Sequence, residues 1–528
     1  MILTKPPKSG REKVCEILFA VAAGICLLPL AYLAGKSLLG TVGMDMNNSY
    51  LEHPFFVRDA LWQNLLLALG FLLAAFLLWW GARRLSYPTV LGLCLLCTAV
   101  AGAAFLISAR SAPTNDSYIV THAAYLASQG DYSALDTYYF RCFPFQLGYV
   151  LFTEGLFRLA IVDCGGVFAF LGGVNLLALL GTEALLSMTV RAATGRDSAG
   201  KTVSLFLLFC LQPVLFCTFL YGNIPAFAFA VAAVFFAVRL MQTDLARYGV
   251  GMALCMGVGV ALKLNSVIVA VATGGVLLLN AIRKKRFFWL VYLAGMVAAV
   301  FAVQKLCILQ YTWRCGVDFG PGIPMTGWLA MGLNESVIAP GWYNGAYTVT
   351  PFVGCGYDAD AMREIARQEI AARLDVFREN PEYCKQFFTD KFLTQWNETT
   401  YQSLWNTQVR GVYGEGRGAF ATFCLGEGAG GLARYMDLFA QLVFLLACGG
   451  VVRCILRREE EQGLLILPVT VLGGMLYHLL FEAKSQYALV YFILLTVMAA
   501  VAADWLFTYV YGRIPFFHRE KQGKGENA

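Results

Sequence analysis

The stretch Phe143–Ala160, FPFQLGYVLFTEGLFRLA, decides how the rest of the chain is threaded. It is nearly apolar enough to cross a membrane, yet Glu154 and Arg158 stand one helical turn apart, which suits the charged face of a helix lying on a bilayer surface. The solvent itself is not in question. Runs such as Ile17–Leu39, Leu61–Trp80 and Val90–Ile107 reach or approach the roughly 20 residues that cover about 30 Å of hydrocarbon. The 528-residue chain is 58% hydrophobic and 14% charged, with a mean hydropathy of +0.61, whereas soluble domains are about a quarter charged. The apolar runs are continuous and do not alternate, which excludes a β-barrel. The fold class expected is an all-α polytopic membrane protein.

Lys and Arg in short loops stay cytoplasmic. The basic clusters are Lys5/Lys8/Arg11/Lys13, Arg83/Arg84, Arg191/Arg196/Lys201, Arg239/Arg247, Arg283–Arg286, Arg453/Arg457/Arg458 and Arg513/Arg519/Lys521/Lys524. If 143–160 lies on the outer surface, all of them fall on one side. If it spans, with Gly249–Leu279 as a single span, Arg191–Lys201 and Arg239–Arg247 land outside. Taking it as non-spanning gives about twelve transmembrane helices, near 15–39, 60–81, 88–109, 166–190, 202–220, 222–240, 248–263, 265–282, 287–309, 433–452, 463–481 and 486–509. Both termini are then cytoplasmic, and the first run is a retained span, not a cleaved signal. The chain divides into 1–87, with two helices of no assigned role; a core, 88–309, with the outer loop 110–165; one large outer loop, 310–432; and 433–528, closing helices and a basic tail. Helices are expected at Asp358–Asn380 and Pro381–Trp396. The glycine-rich GVYGEGRGAF and LGEGAGG read as a mobile linker or, less economically, a lid.

The net charge of +6 sits near span ends, which argues for orientation and against a nucleic-acid partner. Most of the sixteen cysteines lie singly in apolar runs and behave as small hydrophobes; Cys94 and Cys97 form a CxxC in mid-span, without a second pair. Cys315, Cys355, Cys384 and Cys424 share the large loop and can pair. The four histidines have no metal-like spacing, and His122 and His478 read as structural. No internal repeat and no nucleotide-binding or hydrolase motif is present.

Ionisable groups beside spans need a reason to be there. Asp116, just beyond the third span, is a candidate general base; the competing role is a helix N-cap by Asn115-Asp116. Lys263, Arg141 and Lys484 suit a phosphate at the membrane surface, or snorkel to the interface. Asp131 and Asp136 read as turn residues. Glu183, inside a span, is expected to meet a polar partner in the bundle.

Several segments resemble the C-type superfold of integral-membrane glycosyltransferases (GT-C), and within it the family 39-like protein O-mannosyltransferases and the bacterial aminoarabinose transferases. Pro113-Thr-Asn-Asp116, the Tyr138–Gly148 stretch and the 143–160 helix look like that superfold's first outer loop with its juxtamembrane helix. Leu220-Tyr-Gly-Asn-Ile-Pro225, Leu262-Lys-Leu-Asn265 and Phe481-Glu-Ala-Lys-Ser-Gln-Tyr487 look like its later outer turns. The match covers roughly 88–510. It departs from the pattern in three places: an acidic pair is Asn115-Asp116 here, a His-Pro-Pro-Leu type motif is Phe143-Pro-Phe-Gln-Leu, and Gln486 stands where arginine is frequent.

The resemblance implies an enzyme of the bacterial plasma membrane, active on the extracytoplasmic face. Such an enzyme transfers one mannose-like hexose from a polyprenyl-phosphate sugar to a glycan, lipid or protein acceptor, with inversion. Asp116 would be the base, with Lys263, Arg141 and Lys484 holding the phosphate. Tyr138, Tyr139, Asn223, Glu482, Trp342, Tyr343 and Asn344 would line the substrates. The resemblance fixes no cofactor and is compatible with a divalent cation. The rival expectations are a transporter or flippase of lipid-linked sugars, and an outer-face polysaccharide polymerase or ligase.

Overall fold

In a computed structural model, residues 9–48, 51–159, 164–457 and 461–513 are described. Lys5, Lys8, Ala160, Arg458, Arg519, Lys521 and Lys524 lie outside the described residues.

The chain is an all-α polytopic membrane protein. Among the described residues ten helices are long and apolar enough to cross a membrane: Gly10–Leu39, Leu61–Ala82, Tyr87–Ala109, Gly166–Thr194, Asn223–Thr243, Leu264–Lys284, Trp289–Cys315, Ala429–Leu456, Gly463–Leu480 and Ser485–Arg513. Two further expected spans look different. The 248–263 span is a shorter apolar helix, Ala246–Leu262. The 202–220 span is broken into Asp197–Leu208 and Leu211–Phe216. Pro213 accounts for the break, since it has no N–H to give and its ring crowds the carbonyl four residues back. That carbonyl, on Phe209, instead accepts a hydrogen bond from the Tyr435 hydroxyl at 2.9 Å.

The described members of the basic clusters gather at one end of the bundle. Lys201 Nζ donates to the Leu85 carbonyl at 2.6 Å, Gln242 to that of Ala192 at 2.6 Å and Lys284 to that of Met241 at 3.3 Å. Arg283 faces Glu16 at 3.6 Å, and Arg83 lies over the Tyr511 ring. The opposite end carries the turns and loops that build the cavity described below.

Among the described residues the helix Leu147–Leu159 has 13 residues, about 20 Å, less than the length of a span. Of its two charges, Glu154 turns inward while Arg158 stays about half exposed. Glu154 is 2% exposed and accepts from the Tyr311 hydroxyl at 2.6 Å and from Arg314 at 2.9 and 3.0 Å, with Arg158 completing the clamp. The helix is therefore a wedge pinned to Trp289–Cys315. Gly148 seats it: a Cβ there would lie 2.0 Å from the carbonyl oxygen of Ala261.

In the large loop, the helices Ala359–Glu379, capped by Asp358, and Pro381–Trp396 form where the sequence puts them. The end of the second helix and the segment after it are packed into the bundle. Residues 393–407 are all buried and fill the space beside the broken helix. Gln212 donates to the Thr399 carbonyl at 3.0 Å, Thr218 meets Thr407 at 2.8 Å, and Thr399 bonds Asp437. Tyr401 packs on Phe492, the eighth residue of its helix, so the segment is sunk roughly 10 Å below the helix end. Its turn places Tyr401 and Gln402 at φ 47° and 58°, a conformation that costs about 1–2 kcal/mol per non-glycine residue. The Glu398 carboxylate holds it by accepting from the Gln402 and Thr400 amides at 2.8 and 3.1 Å. The glycine-rich stretch that follows is tied down too: Gly411–Val412 pairs with Ser111–Ala112, and the amides of Tyr413 and Gly418 donate to the carbonyls of Arg110 and Ser108.

Cys94, Cys97, Cys315, Cys355, Cys384 and Cys424 are all free thiols, so the large-loop cysteines form no disulfide. Glu183 is buried, and its Oε1 has no hydrogen-bond partner among the described residues. Asp131 closes an Asx turn by accepting from the Ser133 amide.

Candidate functional site

A cavity of about 400 Å³ opens at the end of the bundle away from the basic clusters. Asp116 stands in its wall for a local reason. Thr114 is the N-cap of the helix Asn115–Ser128, its amide donating to Ser117 Oγ at 3.1 Å, so the carboxylate of the helix's second residue is not used as the cap and faces the cavity. Asn115 adopts φ +50°, a left-handed backbone that asparagine tolerates better than most residues. The Asp116 carboxylate accepts from the Tyr221 hydroxyl at 3.3 Å. Tyr221 is itself held by Tyr139 at 2.9 Å and Gln146 at 2.6 Å. Burial, then the neighbouring Tyr139 and Asp116, push the Tyr221 hydroxyl well above its ordinary range, so it stays a donor.

Lys263 ends the helix Ala246–Leu262, and its ammonium lies 3.8 Å from the centroid of the Tyr221 ring. Gly222, at φ +81°, permits this approach, because a Cβ would meet the Leu262 carbonyl at 2.9 Å. Burial lowers the Lys263 pKa to about 8, with Asp116 and Glu482 opposing the fall. Glu482 and Lys484 come from the turn between the last two long helices. Burial raises Glu482 to about 7 against the pull of Lys484 and Lys263. Ala483 fastens the turn through its amide, which donates to the Gly341 carbonyl at 2.8 Å. His478 Nδ1 lies 2.7 Å from the Glu482 carbonyl; a carbonyl only accepts, so Nδ1 carries the proton.

Of the residues singled out in the sequence, Asp116, Lys263, Lys484, Tyr138, Tyr139, Glu482 and Tyr343 line this one cavity. Asn223 lines a small adjoining pocket shared with Lys263. Arg141, Trp342 and Asn344 do not line it. Arg141 is paired with Asp136 at 2.8 Å, Trp342 is fully buried with its indole donating to Thr394, and Asn344 caps a short turn at Ala346.

The sequence reading missed Arg410 and Glu52. Arg410 is buried in the cavity wall, donating to Ser117 Oγ at 2.7 Å, to Thr114 and to Asn406 Oδ1 at 2.8 Å. Burial lowers its pKa to about 10, with Asp116 and Glu52 opposing, so it is charged at neutral pH. Asn406 in turn donates to Gln486 at 3.3 Å. Trp396, Leu404 and Trp405 interleaved with the polar residues were the available sign that this stretch is packed and not solvated. Among the described residues no three or more His, Cys, Asp or Glu side chains are grouped to hold a metal ion.

Chemically, the cavity offers the carboxyl groups of Asp116, Glu52 and Glu482, three cations from separate segments, and aromatic faces including Tyr138, Tyr343, Trp328 and Trp405. That set can take a proton from a hydroxyl, neutralise an anionic group and stack on a sugar ring. No protein-family model matches the chain, and no curated protein shows significant similarity to it.

Proposed function

We propose that this protein is a membrane glycosyltransferase, similar to the GT-C enzymes, that moves a hexose from a polyprenyl-phosphate sugar to an acceptor hydroxyl. The observation that carries this reading is the convergence of Asp116, Lys263, Lys484 and Arg410, from four distant stretches, on one cavity at one end of an apolar bundle. The acceptor oxygen attacks the anomeric carbon and its proton passes to Asp116. The bond from that carbon to the phosphate oxygen breaks with inversion, and polyprenyl phosphate leaves with the electron pair. Lys263, Lys484 and Arg410 take up the phosphate charge. Where the superfold often has an arginine, this chain has Gln486; Arg410, joined to it through Asn406, supplies the guanidinium here. With the basic clusters cytoplasmic, the cavity faces the extracytoplasmic side, and a lipid-anchored donor meets it at the bilayer surface.

A second reading, a transporter of lipid-linked sugars, draws on the broken helix and the polar segment sunk beside it, since transporters place sites at such discontinuities. One experiment separates the two. Membranes containing the protein are supplied with labelled polyprenyl-phosphate hexoses, and label is followed into lipid, glycan and protein. Transfer to an acceptor is expected; label that crosses the membrane without leaving its lipid carrier would favour the transporter.

A further inference from the structure

The first two long helices are joined by a hairpin that brings a carboxylate into the cavity, and the reaction above makes no use of it. Strands Gly40–Met44 and Pro54–Arg58 pair antiparallel, with Met44 opposite Pro54. The base of the hairpin is bound to the buried polar segment: the Val42 amide donates to the Asn397 carbonyl at 3.0 Å, and Asn397 Nδ2 donates to the Gly40 carbonyl at 2.9 Å. Further out, Met44 packs with Trp342, Trp405 and Ala483, and the Trp405 indole donates to the Asn48 carbonyl at 2.9 Å. The Asn48 side chain accepts from the Leu51 amide at 3.1 Å. Leu51 and Glu52 thereby reach the cavity wall, where the Glu52 carboxylate pairs with the Lys484 ammonium, the two side chains being 11% and 19% exposed. Burial opposes the charge on Glu52, but Lys484, through its charge and hydrogen bond, and Arg410 outweigh it, and the pKa falls below the ordinary glutamate value.

With this pair in place, the carboxyl groups of Asp116, Glu52 and Glu482 share the cavity with the cations Lys263, Lys484 and Arg410; Glu482, raised to about 7, can shed its charge by taking a proton, whereas Glu52, paired with Lys484, keeps its own. An entering phosphate gains the Lys484 ammonium only where the Glu52 carboxylate gives way. Asp116 is fixed at a helix start and Glu482 in a turn fastened on both sides by the hydrogen bonds of His478 and Ala483. Glu52 rides on a loop contributed from outside the helices that frame the rest of the site.

We infer that Lys484 is the cationic centre of a phosphate site whose resident counter-anion is Glu52, so that the ligand's phosphate replaces this carboxylate and the hairpin sets how tightly polyprenyl phosphates bind. The inference rests on the proposed function only for the lipid part of the ligand; the site itself is defined by its anion. It gives the first two helices a role: they hold a specificity-determining residue.

The test is binding of farnesyl phosphate, with farnesol as the uncharged control, to the full chain in phosphatidylcholine nanodiscs, measured by calorimetry. Glu52→Gln is expected to tighten farnesyl phosphate binding by about tenfold or more and to leave farnesol unchanged. The gain should vanish in the Glu52→Gln/Lys484→Gln double variant, which removes both charges of the pair and leaves neither buried alone. Unchanged or weaker binding by Glu52→Gln, a gain that persists without Lys484, or no binding of farnesyl phosphate by either protein would overturn the inference. Because no sugar or acceptor is present, the two readings separate: a protein inert in transfer that shows these shifts loses the transferase reading and keeps the phosphate site. Active transfer with unshifted binding does the reverse.

Discussion

Lys263 links the electrostatics of the cavity to a pH profile. Its pKa of about 8 in the folded protein lies below the roughly 10.4 of a free lysine. Between these values the unfolded chain binds more protons, so this residue's effect on stability improves as pH rises through that window and is most unfavourable below pH 8. Activity runs the other way. If the ammonium holds the phosphate, kcat/KM is expected to fall about tenfold per pH unit above pH 8, and Lys263→Arg should carry the plateau at least one unit higher. An identical alkaline limb in the arginine variant would assign it to another group. Asp116, Lys263 and Lys484 were legible in the sequence because an ionisable side chain beside an apolar run stands out. Arg410 and Glu52 were not, since each lies in a stretch whose polarity reads as solvated loop. Only the packing reveals Arg410 to be buried and Glu52 to be aimed at Lys484. Tyr221 was visible as a turn residue, but nothing local shows that its hydroxyl reaches Asp116.

At the scale of elements, the bookkeeping of basic clusters reads the 143–160 stretch as non-spanning, but it says nothing of the direction of the charged face of the helix Leu147–Leu159. An i,i+4 pair of Glu154 and Arg158 has the same pattern whether it faces water or an arginine on another helix. Arg314, remote in sequence, decides it. Glu154→Ala removes the acceptor of the Tyr311 hydroxyl and of Arg314. It should cost about 2–3 kcal/mol, below the roughly 3–5 of a fully enclosed pair because Arg158 and Arg314 keep some exposure. The measurement is the thermal midpoint in detergent micelles, expected to drop by several degrees; no change would mean that the clamp does not hold the wedge. Hydropathy likewise hid the break at Phe209-Cys210. Pro213 was the local sign, and the tertiary partner, Tyr435, is what makes the break affordable. The helices of the large loop were plain from their caps and spacing, whereas the burial of residues 393–407 depends on a gap that only the assembled bundle creates.

For the whole molecule, the two ends of the bundle differ in kind. Arginines and lysines tie together the turns at one end, and at the other a set of loops closes over a cavity lined by charges of both signs. The sequence conveyed this polarity through the order of its basic clusters. What it did not convey is that the hairpin of the first two helices and the buried polar segment both complete the cavity, because the contacts that seat the hairpin on that segment join residues more than three hundred positions apart. The division of the chain into two unassigned helices, a core, a large loop and the closing helices therefore cuts across a single cavity lined from all four. Its central claim is tested most directly with the purified protein in liposomes, supplied with one labelled polyprenyl-phosphate hexose and an acceptor, by counting polyprenyl phosphate released per sugar transferred. The wild type should release one for one, and Asp116→Asn should lower kcat by about 10²–10⁴-fold with KM changed no more than a few-fold; transfer undiminished in Asp116→Asn would contradict the assignment of the base.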